Sequence, residues 1–254
     1  MTQSAITFAA LETSERPLFG EQTVGSLVRN VWRVYRDHFV LIALTYFLPT
    51  FPLVVFAQMV RGSSPGLELA LLFAYTVSQF VAGSALTVTV SDICLGTVPT
   101  VRRSYSRVLR GRTWLRVLNT GVLVLGLFYL GLLLLFVPGI WFAARAMFSS
   151  TIVILEGRSG RKAIRRSFDL TRGQFWRLLG LMMLFFLPPL VIGIFGATGA
   201  SAAGATYAAE ALTNLLTQGL MVPAVGIATV LLYYDQRVRR ESYDAHALSE
   251  DLMR

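Results

Sequence analysis

Residues able to do acid–base or metal chemistry are sparse in this chain. Its 254 residues include two histidines, His38 and His246, and one cysteine, Cys94. Metal-assisted hydrolysis needs carboxylates and imidazoles clustered around a cation. Each histidine here has only a neighbouring aspartate, Asp37 or Asp244. No HExxH, GxSxG, GxxxxGK[ST] or GxGxxG pattern occurs. A solvated or hydrogen-bonded histidine is the simpler reading of each, so no catalytic residue, metal site or cofactor is expected. A single cysteine excludes an internal disulfide and a cysteine-based zinc cluster, and Cys94 lies in an apolar stretch that suits an inert buried thiol.

The chemistry the sequence does supply is cationic. Residues 154–178, ILEGRSGRKAIRRSFDLTRGQFWRL, hold seven Arg or Lys among 25 residues. The whole chain carries a net charge of +9 and is 54% hydrophobic but only 15% charged. Soluble domains carry about 25% charged residues, so the composition is that of a membrane protein. Such a basic excess fits either nucleic acid or an anionic membrane surface, and the placement of the charges decides between them.

A membrane helix needs about 20 mostly apolar residues. Six segments qualify, at roughly 39–60, 68–91, 118–137, 140–155, 178–199 and 209–234. Pro138-Gly139, within LLFVPGIWF, separates the third from the fourth and is expected to form the turn of a tight hairpin. Of the 23 basic residues, 21 fall in the N-terminal region, in the loops after the second and fourth spans, or in the C-terminal tail. The positive-inside rule then places both termini in the cytoplasm. The start, MTQSAITFAALETSERPLFGEQ, has no basic leader and reads as a polar tail rather than a signal peptide.

The basic segments are also patterned. Val98, Val101, Tyr105 and Val108 recur at helical spacing, as do Ile164, Phe168, Thr171 and Phe175, and Val24, Leu27, Val31, Val34 and His38. Each pattern predicts an amphipathic helix lying in the membrane interface with its arginines toward the headgroups. RRSYSRVLRGRTW (102–114) aligns with RRSFDLTRGQFW (165–176) across one gap. Gly111 and Gly173 are expected to end these helices. The proposed unit is one interfacial helix and one membrane hairpin, used three times at about 23–96, 97–157 and 158–234. Residues 1–22 and 235–254 then form cytoplasmic tails around a six-helix, all-α membrane domain. Asp92, Glu156 and Asp235 each end an even-numbered span just before an arginine cluster, with Arg237 beside the last. They form a candidate charge network that docks the interfacial helices; ordinary solvated charge is the plainer reading.

The run PGIWFAARAMFSSTIVILEGRSGRKAIRRSFDLTRGQFW and the ending ATVLLYYDQRVRRESYD resemble a bacterial family. It is the membrane domain attached to some glycerophosphoryl diester phosphodiesterases, which also occurs as a stand-alone protein. The resemblance rests on Pro138-Gly139, Arg145, Glu156-Gly157, the run from Ala163 to Ser167, Arg172-Gly173, and Tyr234-Asp235 with Arg237 and Glu241. It implies a six-helix integral membrane protein. It carries over no enzymatic activity, because catalysis in the two-domain enzymes belongs to a separate soluble barrel.

Three functional readings follow. The first is a non-catalytic membrane scaffold or accessory protein that engages anionic lipids, a protein partner or a second copy through its basic cytoplasmic face. Arg102, Arg103, Arg107, Arg110, Arg161, Arg165, Arg166 and Arg172 are its candidate lipid contacts. Nucleic acid is not expected as a partner, since these arginines lie within a few residues of span ends, where lipid phosphates are the nearest anions. The loop Gly157-Arg158-Ser159-Gly160 either offers N–H groups to a phosphate or is a simple helix-capping loop. The second reading is a small permease or lipid-handling transporter. Pro49, Pro52, Pro188 and Pro189 interrupt spans one and five, while Gln79, Asn214 and Gln218 put amides inside the membrane. Arg145 is expected to snorkel to the headgroups or to pair with Glu68 or Glu210 at the periplasmic end. A membrane-bound enzyme is the last reading.

Overall fold

The computed structural model describes residues 21–60, 62, 64–134, 136–202, 217 and 221–241. Among them every regular element is helical: α1 Val24–Asp37, α2 Phe39–Met59, α3 Pro65–Cys94, α4 Val101–Leu109, α5 Thr113–Leu134, α6 Phe136–Ala146, α7 Ser149–Glu156, α8 Arg161–Thr171, α9 Phe175–Ala202 and α10 Val222–Glu241. A short helix followed by long apolar ones recurs three times, beginning at α1, α4 and α8.

Local chemistry sets these boundaries. Thr23 and Ser26 cap the start of α1 reciprocally, satisfying backbone donors that have no partner inside the helix. Ser64 caps α3, with Pro65 in its first turn. Thr100 caps α4 by accepting from the Arg103 N–H. At the other ends, α4 and α8 stop in the same way. Arg110 (φ −66°, ψ 125°) precedes Gly111 at φ 58°, and Arg172 (φ −62°, ψ 133°) precedes Gly173 at φ 76°. These are the dihedrals of a type II turn, whose third residue needs the positive φ that glycine adopts without strain.

Five described helical segments are long and apolar enough to cross a membrane: Phe39–Ala57, Pro65–Cys94, Thr113–Leu134, Val137–Glu156 and Phe175–Gly196. The expected sixth, 209–234, begins outside the described residues, and its later part is α10. Half of the Val137–Glu156 window is buried inside the protein, against 11–28% for the other four, so this span is the central one. The chain is an integral membrane protein.

The core lies at the basic end of the bundle. Leu27, Val31 and Val34 of α1, Ala82 to Val90 of α3, Ile152 to Leu155 of α7 and Val230 to Tyr234 of α10 pack there. The opposite halves of α2, α3, α5 and α9 expose Leu48, Phe51, Phe73, Leu133 and Phe195, the surface that lipid tails would cover. Polar residues enter the core of α3 by bonding their own helix. Thr87, Thr89 and Ser91 donate to the carbonyls of Gly83, Ala85 and Thr87.

Three expectations change. First, α5 runs to Leu134 and α6 starts at Phe136, so Pro138-Gly139 belongs to the first turns of α6. The helices meet back to back there: a Cβ on Gly131 would come within 2.9 Å of the Gly139 Cα. Proline fits an early helical turn, where its missing N–H costs nothing.

Second, the central span is broken between α6 and α7, where the Ser167 hydroxyl of α8 donates to the Arg145 carbonyl and accepts from the Phe148 N–H. Third, the apolar stripes of the short helices face the bundle instead of the lipid. Leu27, Val31, Val34, Val108, Ile164 and Leu170 are buried, and Val98 lies before α4 and is exposed. The core at this end needs those side chains, so the short helices serve as its lid, and their arginines take the outside.

Proline has a visible consequence in α2. Pro49 has no N–H, which leaves the Thr45 carbonyl without its helical donor. The Tyr105 hydroxyl of α4 donates to that carbonyl instead, at 2.5 Å. Nearby, Tyr46 donates to Gln79 Oε1 across α2 and α3, and Gln79 bonds Tyr75. Gln79 therefore ties helices together. Asn214 and Gln218 lie outside the described residues.

Candidate functional site

The basic end is organised by three buried acids. Asp92, in the last turn of α3, is fully buried and lies 3.3 Å from Nε of Arg103 on α4. Glu156, the last residue of α7, accepts from Arg166 Nε through both oxygens at 3.1 Å. It also meets Arg158 at 3.2 Å and accepts the Tyr233 hydroxyl at 3.0 Å. Asp235, fully buried on α10, accepts from Arg177 at 2.6 Å, from Arg239 at 2.9 Å and from the Gln22 backbone N–H at 2.7 Å.

The pattern is cyclic. Asp92 grips α4, Glu156 grips α8, and Asp235 grips the residue before the cap of α1. Arg103 and Arg166 occupy the same place in their Arg-Arg-Ser runs. The serines that follow, Ser104 and Ser167, are both fully buried. Ser104 shares a 2.8 Å hydrogen bond with Thr89. A buried carboxylate is tolerated when paired and hydrogen-bonded. Glu156 and Asp235 meet both conditions and fix the segments they grip, whereas Asp92 has the ion pair with Arg103 but, among the described residues, no hydrogen bond to either carboxylate oxygen.

The Glu156 and Asp235 sites extend outward. Arg166 also meets Glu241 at 2.5 Å, Glu241 accepts from Arg237 at 3.0 Å, and Arg237 donates to the Tyr233 hydroxyl at 3.3 Å. Glu156, Arg166, Glu241, Arg237 and Tyr233 thus close a ring. Burial pushes the Glu241 carboxyl up, but its bonds to Arg166 and Arg237 outweigh this and hold it below the usual glutamate range. Burial pulls the Arg166 guanidinium down, while Glu241 and Glu156 more than restore it. At Asp235, Arg177 and Arg239 also donate to the Gln22 carbonyl, and Arg239 reaches Glu21. Both the backbone N–H and the backbone C=O of Gln22 are thus held.

The structure therefore divides the arginines. Arg103 and Arg166, expected to touch lipid, are bound to Asp92 and Glu156. Arg102, Arg110, Arg161, Arg165 and Arg172 are exposed and form no ion pair among the described residues, and Arg107 is half-exposed. Trp114 and Trp176, each three residues past a turn glycine, are 37% and 80% exposed, where an aromatic belt would sit. Arg237 belongs to the Glu156–Glu241 ring and not to the Asp235 cluster beside which the sequence places it.

Sequence reading missed Arg177, Arg239 and Gln22. The i,i+4 spacing of Asp235 with Arg239 was the available signal; nothing in the sequence points to Gln22.

Arg145 is also displaced from its expected place. It meets α8, with Nη2 donating to the Phe168 carbonyl at 2.9 Å. Glu68 instead accepts from the Gly62 N–H, and Glu210 lies outside the described residues. The break at 147–148 and the Ser167 bridge bring α6 against α8, which sequence spacing along an unbroken helix does not anticipate. The loop at 157–160 turns through two positive-φ glycines, and the Gly160 N–H donates to Thr120. That donor is used inside the protein.

No curated protein and no solved structure was found to match the chain. Residues 118–234 match the family described as the membrane domain of glycerophosphoryl diester phosphodiesterase. This stretch runs from the first turns of α5 through the broken central span and α8 to the tyrosine before Asp235. Over this stretch, just under half of the chain, the protein is similar to that membrane-domain family.

Proposed function

We propose that the protein is a non-catalytic scaffold of the bacterial inner membrane, with both termini in the cytoplasm, that gathers anionic phospholipids at its basic end. The observation that supports this reading is the division of labour among the arginines. Arg166, Arg177, Arg237 and Arg239, the less exposed ones, are consumed by Glu156, Asp235 and Glu241, and half-exposed Arg103 meets Asp92. Those left over are exposed, sit beside exposed tryptophans and flank the ends of the apolar helices. Each basic side chain near an anionic leaflet contributes about 1 kcal/mol, so five together hold a local pool of anionic lipid. The three buried acids are engaged by arginines, which disfavours their use as general bases or metal ligands.

The kinked helices give less support to a transport reading. The carbonyl freed by Pro49 is satisfied inside the protein by Tyr105, which is how a kink serves packing.

Lipid analysis of protein purified in mild detergent tests the proposal. Anionic phospholipids should be enriched over their share of the source membrane. Recovery of lipids in the membrane's own proportions would contradict it, and a stoichiometric co-purifying protein would move the reading to a partner complex.

A further inference from the structure

We propose that Arg145, walled by Trp141 and Phe168, is the headgroup subsite for the phosphate of one anionic phospholipid. The inference rests on the lipid-binding reading above and names one site within it.

Arg145 lies inside the membrane-spanning window Val137–Glu156. A charge in that setting is costly and calls for compensation. What the protein supplies is partial. The guanidinium stands 5.3 Å from the Trp141 ring centroid and 4.9 Å from that of Phe168, positions that stabilise a cation without neutralising it. Nη2 donates to the Phe168 carbonyl, while Nε is buried and unbonded. No carboxylate pairs with it among the described residues: Glu156 is occupied by Arg158 and Arg166, and Glu68 by the Gly62 N–H.

The positive charge is therefore left to an external anion. The site opens toward lipid, since Trp141 is 43% exposed and Arg145 itself is partly exposed. Arg165 lies one helical turn before Phe168 on α8, exposed and without an ion pair among the described residues, a second cation on the helix that Arg145 meets. The planar guanidinium fork matches phosphate oxygens pairwise. An acyl chain attached to that phosphate would run along the exposed apolar face of the helices.

The test uses the full chain in detergent, titrated with phosphatidylglycerol, with phosphatidylcholine of the same acyl chains, and with inorganic phosphate. Native mass spectrometry reads the bound lipid. Phosphatidylglycerol should bind the wild type in preference to phosphatidylcholine, and Arg145→Gln should weaken it by about tenfold or more, the scale of one lost charge-assisted hydrogen bond. Arg145→Lys should keep part of the affinity, as a point charge without the fork. Trp141→Leu removes a wall and no hydrogen bond, so it keeps the test decisive if Arg145→Gln fails to fold; it should weaken phosphatidylglycerol severalfold.

Equal binding of phosphatidylglycerol by wild type, Arg145→Gln and Trp141→Leu would overturn the site. So would full competition by millimolar inorganic phosphate, which would assign the pocket to a free anion. The combined Gln variant of Arg102, Arg110, Arg161 and Arg172 separates the two readings. If it loses anionic lipid while Arg145→Gln does not, the subsite fails and the basic-face proposal stands. If neither loses lipid, both fail.

Discussion

Arg166 Nε lies 3.1 Å from both carboxylate oxygens of Glu156, with the two side chains only 16% and 7% exposed. Removing one partner of a buried pair strands the other, at about 3–5 kcal/mol. Glu156→Arg should therefore lower the unfolding temperature in detergent, and Arg166→Glu in that background should recover part of it. The same acid at Arg165, which is exposed and forms no ion pair among the described residues, should recover nothing. Additive effects of the two reversals would mean that the pair is not coupled.

Tyr105 and Pro49 are joined through the Thr45 carbonyl. Tyr105→Phe should cost about 1–3 kcal/mol, the penalty for stranding a buried acceptor. Pro49→Ala returns a helical donor to that carbonyl, so Tyr105→Phe should then be nearly silent. A double-mutant cycle by thermal unfolding measures this, and a full Tyr105→Phe penalty in the Pro49→Ala background would show that the hydroxyl acts elsewhere.

Glu241 supplies a pH dependence. Its folded carboxyl is held below the glutamate range, so it binds fewer protons folded than unfolded. The stability it contributes is complete above the unfolded value, about pH 4.3, and drains away as the pH falls through the lower folded value. Wild type and Glu241→Gln should differ most at neutral pH and converge in acid. A difference that stays constant from neutral to acid would assign the loss to packing.

Two glycines on α5 give a paired comparison. A Cβ on Gly131 would press on the Gly139 backbone at 2.9 Å, whereas one on Gly126 meets nothing within 4 Å. Gly131→Ala should destabilise by about 1–3 kcal/mol through overpacking, and Gly126→Ala should be neutral or slightly stabilising. Equal unfolding temperatures for the two variants would exclude close contact between α5 and α6.

Much of the architecture was legible because its causes are local. Apolar length marks the spans. Gly111 and Gly173 end α4 and α8 where positive φ is required, and helical spacing marks Leu27, Val31 and Val34 as one face. The side that face turns to was misread, since a stripe of this kind fits a lipid interface and a protein core equally well. The acids were legible as span ends, and Glu156 with Arg166 was within reach because the two are ten residues apart. Asp235 with Gln22 was not, because that contact closes the first unit on the last across 213 residues. The bend that carries Arg145 to α8 depends on a serine from another helix, and nothing in the span itself encodes it.

The proposed division, in which Arg166 and Arg177 hold the fold while the exposed arginines hold lipid, is tested most directly by one crossed comparison. Arg102, Arg110, Arg161, Arg165 and Arg172 are changed together to Gln in one variant, and Arg166 and Arg177 in another. Co-purified anionic phospholipid and unfolding temperature are measured for both. The first variant should lose most of its anionic lipid and unfold near the wild-type temperature when both are compared in lipid-free detergent; the second should unfold well below it and, where folded, keep its lipid. Loss of lipid and stability in parallel in both variants, or in neither, would contradict the division.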